Sequence, residues 1–129
     1  MKQPDSLSST FKRRVLSAGA NAELLWLRDA VLRYAGFEVF TTSNQKDIVG
    51  EVQAGRCDIL LLCHSLDEGF RHDVAKQFRE SRPTGRIVSI TNDKVSEIPP
   101  YLDALVYGIE GPEALIAALN GKEMPDKAA

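Results

Sequence analysis

The sequence predicts an α/β fold assembled from βαβ units around a parallel sheet, and three observations carry that prediction. Short apolar runs alternate with longer helical patterns along the chain. One run, Asp58-Ile59-Leu60-Leu61-Leu62, is apolar without alternation, as expected of a central strand covered on both faces. The length of 129 residues suits one domain with a core of its own and leaves no room for a second full domain.

The elements follow in order. Arg14 to Ala18 reads as the first strand. A helix over Glu23 to Ala35 follows a small-residue turn in which Asn21 supplies the N-cap, and Leu24, Leu27, Val31 and Ala35 form its expected core stripe, closed by Gly36. Glu38 to Thr42 alternates with period two and is rich in β-branched residues, which marks a strand. Ser43 or Asn44 then caps a helix running to about Ala54, ended by Gly55. After the central strand, Phe70, Val74 and Phe78 stripe a third helix. Arg86 to Thr91 and Ala104 to Tyr107 are the fourth and fifth strands, and Pro112 opens a last helix to Leu119 in the first turn, where its missing N–H is harmless. Between Asn92 and Asp103, the adjacent Pro99 and Pro100 remove two donors and hold Ile98 away from α geometry, so at most a short turn of helix fits there. Residues 1–12 and 121–129 read as flexible tails around a folded unit over 13–120, since neither end has enough apolar surface to order itself.

Composition narrows the function. Sixteen Lys and Arg against 18 Asp and Glu give a net charge of -2, without the basic footprint of a nucleic-acid binder. The cluster Lys12-Arg13-Arg14 reads as a solvated run, and Arg79, Arg82 and Arg86 suit the carboxyl end of a helix. No apolar stretch of about 18 residues or signal sequence appears, so neither a membrane span nor export is expected and a reducing cytoplasm is the natural compartment. Cys57 and Cys63, placed on one strand, sit about 20 Å apart at a rise of roughly 3.3 Å per residue, too far for a disulfide.

The order of elements, with Asp58-Ile59-Leu60-Leu61-Leu62, Arg86-Ile87-Val88-Ser89-Ile90-Thr91 and Gly111-Pro112-Glu113-Ala114-Leu115, resembles a CheY-like response-regulator receiver domain over nearly the whole folded part. The resemblance implies a flavodoxin-like, doubly wound five-stranded parallel sheet of order 2-1-3-4-5, here with a shortened or missing fourth helix, and a site beyond the carboxyl ends of strands one and three. It also implies a set of functional positions from which this chain departs. Gly19 and Ala20 stand where receivers carry the acidic pair that binds Mg²⁺, and Cys63 stands for the phosphate-accepting Asp. Gly108 replaces the Lys that contacts the phosphoryl group and Ile109 the Pro after it, while Thr91 alone keeps the family's hydroxyl.

The residue types have their own consequence. Mg²⁺ prefers hard oxygen ligands, usually with one or two carboxylates, and Gly19, Ala20 and Cys63 supply none. No metal and no other cofactor is therefore expected, and aspartyl phosphorylation at the usual position is chemically excluded. Asp67 and Asp93 are the nearest alternative carboxylates. Ser17, Gly19, Ala20, Cys63, Thr91 and Gly108 should surround a small, nearly neutral pocket.

Other features are set against plainer explanations. Cys63 next to His64 admits a reactive thiol, but successive strand residues point to opposite faces, which favours an inert buried one. His64, His72 and Cys63 match no regular metal spacing. The turn Gly19-Ala20-Asn21-Ala22-Glu23 has neither a dinucleotide fingerprint nor a P-loop lysine, and reads as a tight βα turn. Trp26 falls off the expected core stripe, toward the side shared by Asp29 and Arg33; an indole there is a common protein anchor, or else lies over a neighbouring element.

The expected function is therefore an atypical receiver domain in two-component phosphorelay signalling, not an enzyme, acting independently of phosphorylation by binding a signalling protein such as a histidine kinase or a regulator through Trp26 and Arg33. One alternative is a small-molecule-binding α/β domain using the neutral switch-point pocket. An enzyme using Cys63 with His64 is the other. The sequence leaves the oligomeric state open.

Overall fold

The computed structural model describes residues 13–94 and 97–121, and within them five strands and four α-helices follow the expected order. These are β1 (Arg14–Ala18), α1 (Ala22–Tyr34), β2 (Glu38–Thr42), α2 (Gln45–Ala54), β3 (Ile59–Cys63), α3 (Glu68–Ser81), β4 (Arg86–Thr91), β5 (Ala104–Tyr107) and α4 (Pro112–Leu119). A 3-10 turn at Gly108–Glu110 links β5 to α4. The expected tails lie outside the described residues, apart from Gly121.

Short polar side chains start three of the helices by accepting otherwise unpaired N–H groups. Asn21 accepts from Leu24 N at 3.1 Å, Asn44 rather than Ser43 from Asp47 N at 3.0 Å, and Asp67 from Phe70 N at 3.2 Å. Gly55 ends α2 in the left-handed region, at φ 67°, where a side chain would be strained.

All five strands pair in parallel in the order β2-β1-β3-β4-β5. On one face, α1 and α4 cover Val15, Leu61, Val88 and Ile90; on the other, α2 and α3 cover Leu16, Leu60, Leu62 and Ile87. Every residue of β3 is buried, which explains its unbroken apolar run. The strand begins one residue later than the sequence suggested. Asp58 sits before it, accepting from Arg14 N at 3.0 Å, and Cys63 becomes its last residue.

The expected face of α1 is corrected by the structure. Leu25, Asp29 and Leu32 turn inward, whereas Leu27 is 65% exposed and Ala35 lies at the surface. The helix carries two apolar stripes, and a charged residue decides between them. The Asp29 carboxylate accepts from Thr41 Oγ1 at 2.6 Å and Arg33 Nε at 2.8 Å, while Arg33 Nη2 donates to the Val39 carbonyl at 2.6 Å. Burial alone would raise the Asp29 pKa, but Thr41 and Arg33 outweigh it and hold the carboxyl below its ordinary value. Asp29 therefore pins the helix against β2, although its charge had marked that side as solvated.

Among the described residues no helix joins β4 to β5. The described part of the connection runs through bends and a turn, with Leu102 N donating to the Pro99 carbonyl at 3.2 Å, and is tied down by Asp103. The Asp103 carboxylate accepts from Ile87 N at 2.8 Å and Arg79 Nη2 at 2.7 Å, and its own N–H donates to the Ile87 carbonyl at 2.8 Å. Burial raises its pKa, yet the Ile87 amide and the Arg79 charge prevail and lower it. Stability from a depressed carboxyl pKa is present above the unfolded value of 3.8 and is lost as pH falls through the folded one. Since the side chain is 35% exposed, Asp103→Asn is expected to lower stability at neutral pH by only about 1 kcal/mol. Urea unfolding of both proteins should show the gap closing below about pH 4.

Candidate functional site

At the switch point of the strand order, the carboxyl ends of β1 and β3 lie side by side. The chain leaves β1 through Gly19 and Ala20, and Cys63 closes β3 opposite them. Ser65 joins the two strands. Its hydroxyl accepts from Ala20 N at 2.8 Å and donates to Cys63 Sγ at 3.2 Å. A Cβ at residue 19 would come within 2.8 Å of Cys63 Cβ and 3.3 Å of Leu25 Cδ2, so only glycine fits this turn as it stands. Gly19, Ala20 and Cys63 are thus brought together, in close packing.

Two of the remaining expected positions, Thr91 and Gly108, lie elsewhere. Cys63 is in register with Ile90, so Thr91, one residue on, points to the opposite face of the sheet. There its hydroxyl accepts from Asp93 N at 3.1 Å and lines a cavity of about 940 Å³ beside α3. Gly108 is packed against the Asn92 side chain, with no room for a Cβ. A neutral amide thus fills the space beside this backbone position.

Electrostatics distinguish the two thiols. Burial pushes Cys57 up to about 11. Cys63 is also penalised by burial, but the hydrogen bonds from Ser65 and the hydrogen bonding and charge of Arg28 on α1 take it below its ordinary value of 9.0. The surroundings are therefore less neutral than expected. Its sulfur lies 3.9 Å from His64 Nδ1, yet Cys63 is only 1% exposed, so the lowered pKa belongs to a sulfur that reagents do not reach. Ser65 and Arg28 were missed by sequence reasoning. Ser65 is signalled only by a hydroxyl two residues past the strand, and Arg28 was hidden by the misassigned face of α1.

Among the described residues, no group of three or more His, Cys, Asp or Glu side chains is placed to hold a metal. His64 and His72 both line the cavity beside α3. On α1, Trp26 is 68% exposed and Tyr34 96%, and with Leu27 they form an apolar outer edge. Arg33, expected to share a binding role with Trp26, is engaged with Asp29 and the Val39 carbonyl. No described helix is long and apolar enough to cross a membrane.

Ultraviolet titration of the thiolates is expected to separate the two cysteines. A Cys57→Ala protein should titrate below 9.0, a Cys63→Ala protein near 11, and adding Arg28→Met to Cys57→Ala should move the remaining thiol upward.

No protein-family model matches the sequence, and no curated protein matches it. Solved structures do. A CheY-like response regulator receiver domain protein from Methanospirillum hungatei is similar with a TM-score of 0.74 at 15% identity, over 85% of this chain and 92% of that one. The chemotaxis protein CheY4 of Vibrio cholerae gives 0.74 at 17% identity, over 85% and 98%. A response regulator receiver protein from Sinorhizobium medicae gives 0.72 at 23% identity, over 87% and 94%. At such identities the likeness establishes architecture: the chain has the five-stranded parallel fold of CheY-like receiver domains.

Proposed function

We propose that the chain is a non-enzymatic, receiver-like module of cytoplasmic two-component signalling, whose output is carried by protein contact and not by an aspartyl phosphate. One observation carries this reading. Where a receiver would hold carboxylates for metal and phosphate, this chain has Gly19, Ala20 and Cys63, packed so closely that even a methyl group at residue 19 would collide. An acyl phosphate needs a carboxylate nucleophile, and Mg²⁺ needs hard oxygen ligands. Asp67, the nearest carboxylate along the chain, is occupied in capping α3.

Trp26, Leu27 and Tyr34 supply what a contact-based module needs, namely large apolar side chains projecting from one helix. Incubation with acetyl phosphate and Mg²⁺ is expected to leave the intact mass unchanged, and a phosphoryl adduct would falsify the phosphate-independent reading. Trp26→Ala should unfold within about 0.5 kcal/mol of wild type, because the indole is exposed. In parallel captures from native extract, a kinase, phosphotransfer protein or regulator held by wild type should be lost from that variant. Equal recovery on both would remove α1 as the contact surface.

A further inference from the structure

A parallel sheet is usually covered on both faces by its crossover helices, and the β4 to β5 connection supplies none among the described residues. A trough occupies that side of the sheet. One part, about 940 Å³, is lined by Ser89, Thr91 and Leu105 from the strands and by α3. A second, about 530 Å³, continues along Ala75, Lys76 and Arg79. The two share His72, Pro100 and Tyr101, where the rings of His72 and Tyr101 meet edge to face at 5.8 Å. Glu68 at one end and Glu80 at the other both line the trough. At a rise of about 1.5 Å per residue it follows α3 for roughly 18 Å, the length of three helical turns.

Its charge is uneven. Glu68, Asp93 and Glu97 stand exposed at the end near the carboxyl edge of the sheet, and no ion pair among the described residues engages them. Arg71 also lines this end. Between the charged ends, Leu105, Leu102, Pro99 and Tyr101 offer apolar surface.

We propose that this trough is a docking site for an amphipathic helix of a partner protein, apolar toward Leu105 and Tyr101 and basic at the end that meets Glu68, Asp93 and Glu97. The length suits a short helix, and carboxylates that no ion pair among the described residues engages select basic side chains. This surface lies on the α2 and α3 side of the sheet, away from α1, and does not depend on the role proposed for Trp26.

The test is amide chemical-shift mapping of the full, isotope-labelled chain with a synthetic leucine-lysine amphipathic peptide of about 14 residues. A leucine-glutamate peptide of the same pattern serves as the counterpart. Saturable shifts at Ser89, Thr91, Tyr101 and Leu105 with the basic peptide alone are expected. The exposed double substitution Asp93→Lys with Glu97→Lys should weaken that binding about tenfold or more, while Trp26→Ala leaves it unchanged. Four outcomes overturn the proposal: no saturable binding, shifts centred on α1, equal binding of the acidic peptide, or undiminished affinity in the double variant. Shifts at the same residues that follow protein concentration without peptide would assign the trough to a second copy of the chain and also overturn it.

Discussion

Burial of the sheet on both faces is the constraint on which the rest of this structure depends. β3 has no exposed residue, so the strands beside it can exist only if helices cover them above and below. α1 and α4 cover one side, α2 and α3 the other. Where no crossover helix is found among the described residues, polar contacts hold the chain, with Asp103 linking the connection to β4 and to Arg79 on α3. Specific hydrogen bonds thus substitute for area. They fix the backbone but leave the neighbouring strand surface only partly covered, and the trough beside Leu105 is the result.

The same economy of space governs the switch point. At the ends of β1 and β3, Gly19, Ala20 and Cys63 bring no carboxylate and pack closely. Gly19 lets the backbone approach Cys63 closely, and Ser65 spans the remaining gap by accepting from one strand and donating to the sulfur of the other. Arg28 adds the cationic influence that favours a thiolate. Sharing the architecture of receiver domains does not fix the atoms of the site, because packing of strands and helices sets the first while a few loop residues set the second.

α1 shows how one buried charge organises a surface. By accepting from Thr41 and Arg33, the Asp29 carboxylate sets the rotation of the helix and commits Arg33 to the edge strand. With that rotation, Leu25 and Leu32 fill the core while Trp26, Leu27 and Tyr34 face outward. Exposure of the apolar edge is thus a consequence of satisfying a polar group inside.

Element order and most boundaries were legible in the residues, because apolar period, capping side chains and chain-breaking residues are local properties. Asn21, Gly55, Pro99, Pro100 and Pro112 act on their own few neighbours and need no tertiary context. That Gly19, Ala20 and Cys63 carry no carboxylate is read from residue type alone. Tertiary structure decided the rest. Which stripe of α1 faces inward depends on Thr41 and Val39, in a different element; the environment of Cys63 depends on Ser65 and Arg28; and Thr91 separates from Cys63 through strand register. The physical reason is common to all three, because the free energy of a buried polar group is set by partners distant in sequence, and no local pattern identifies them.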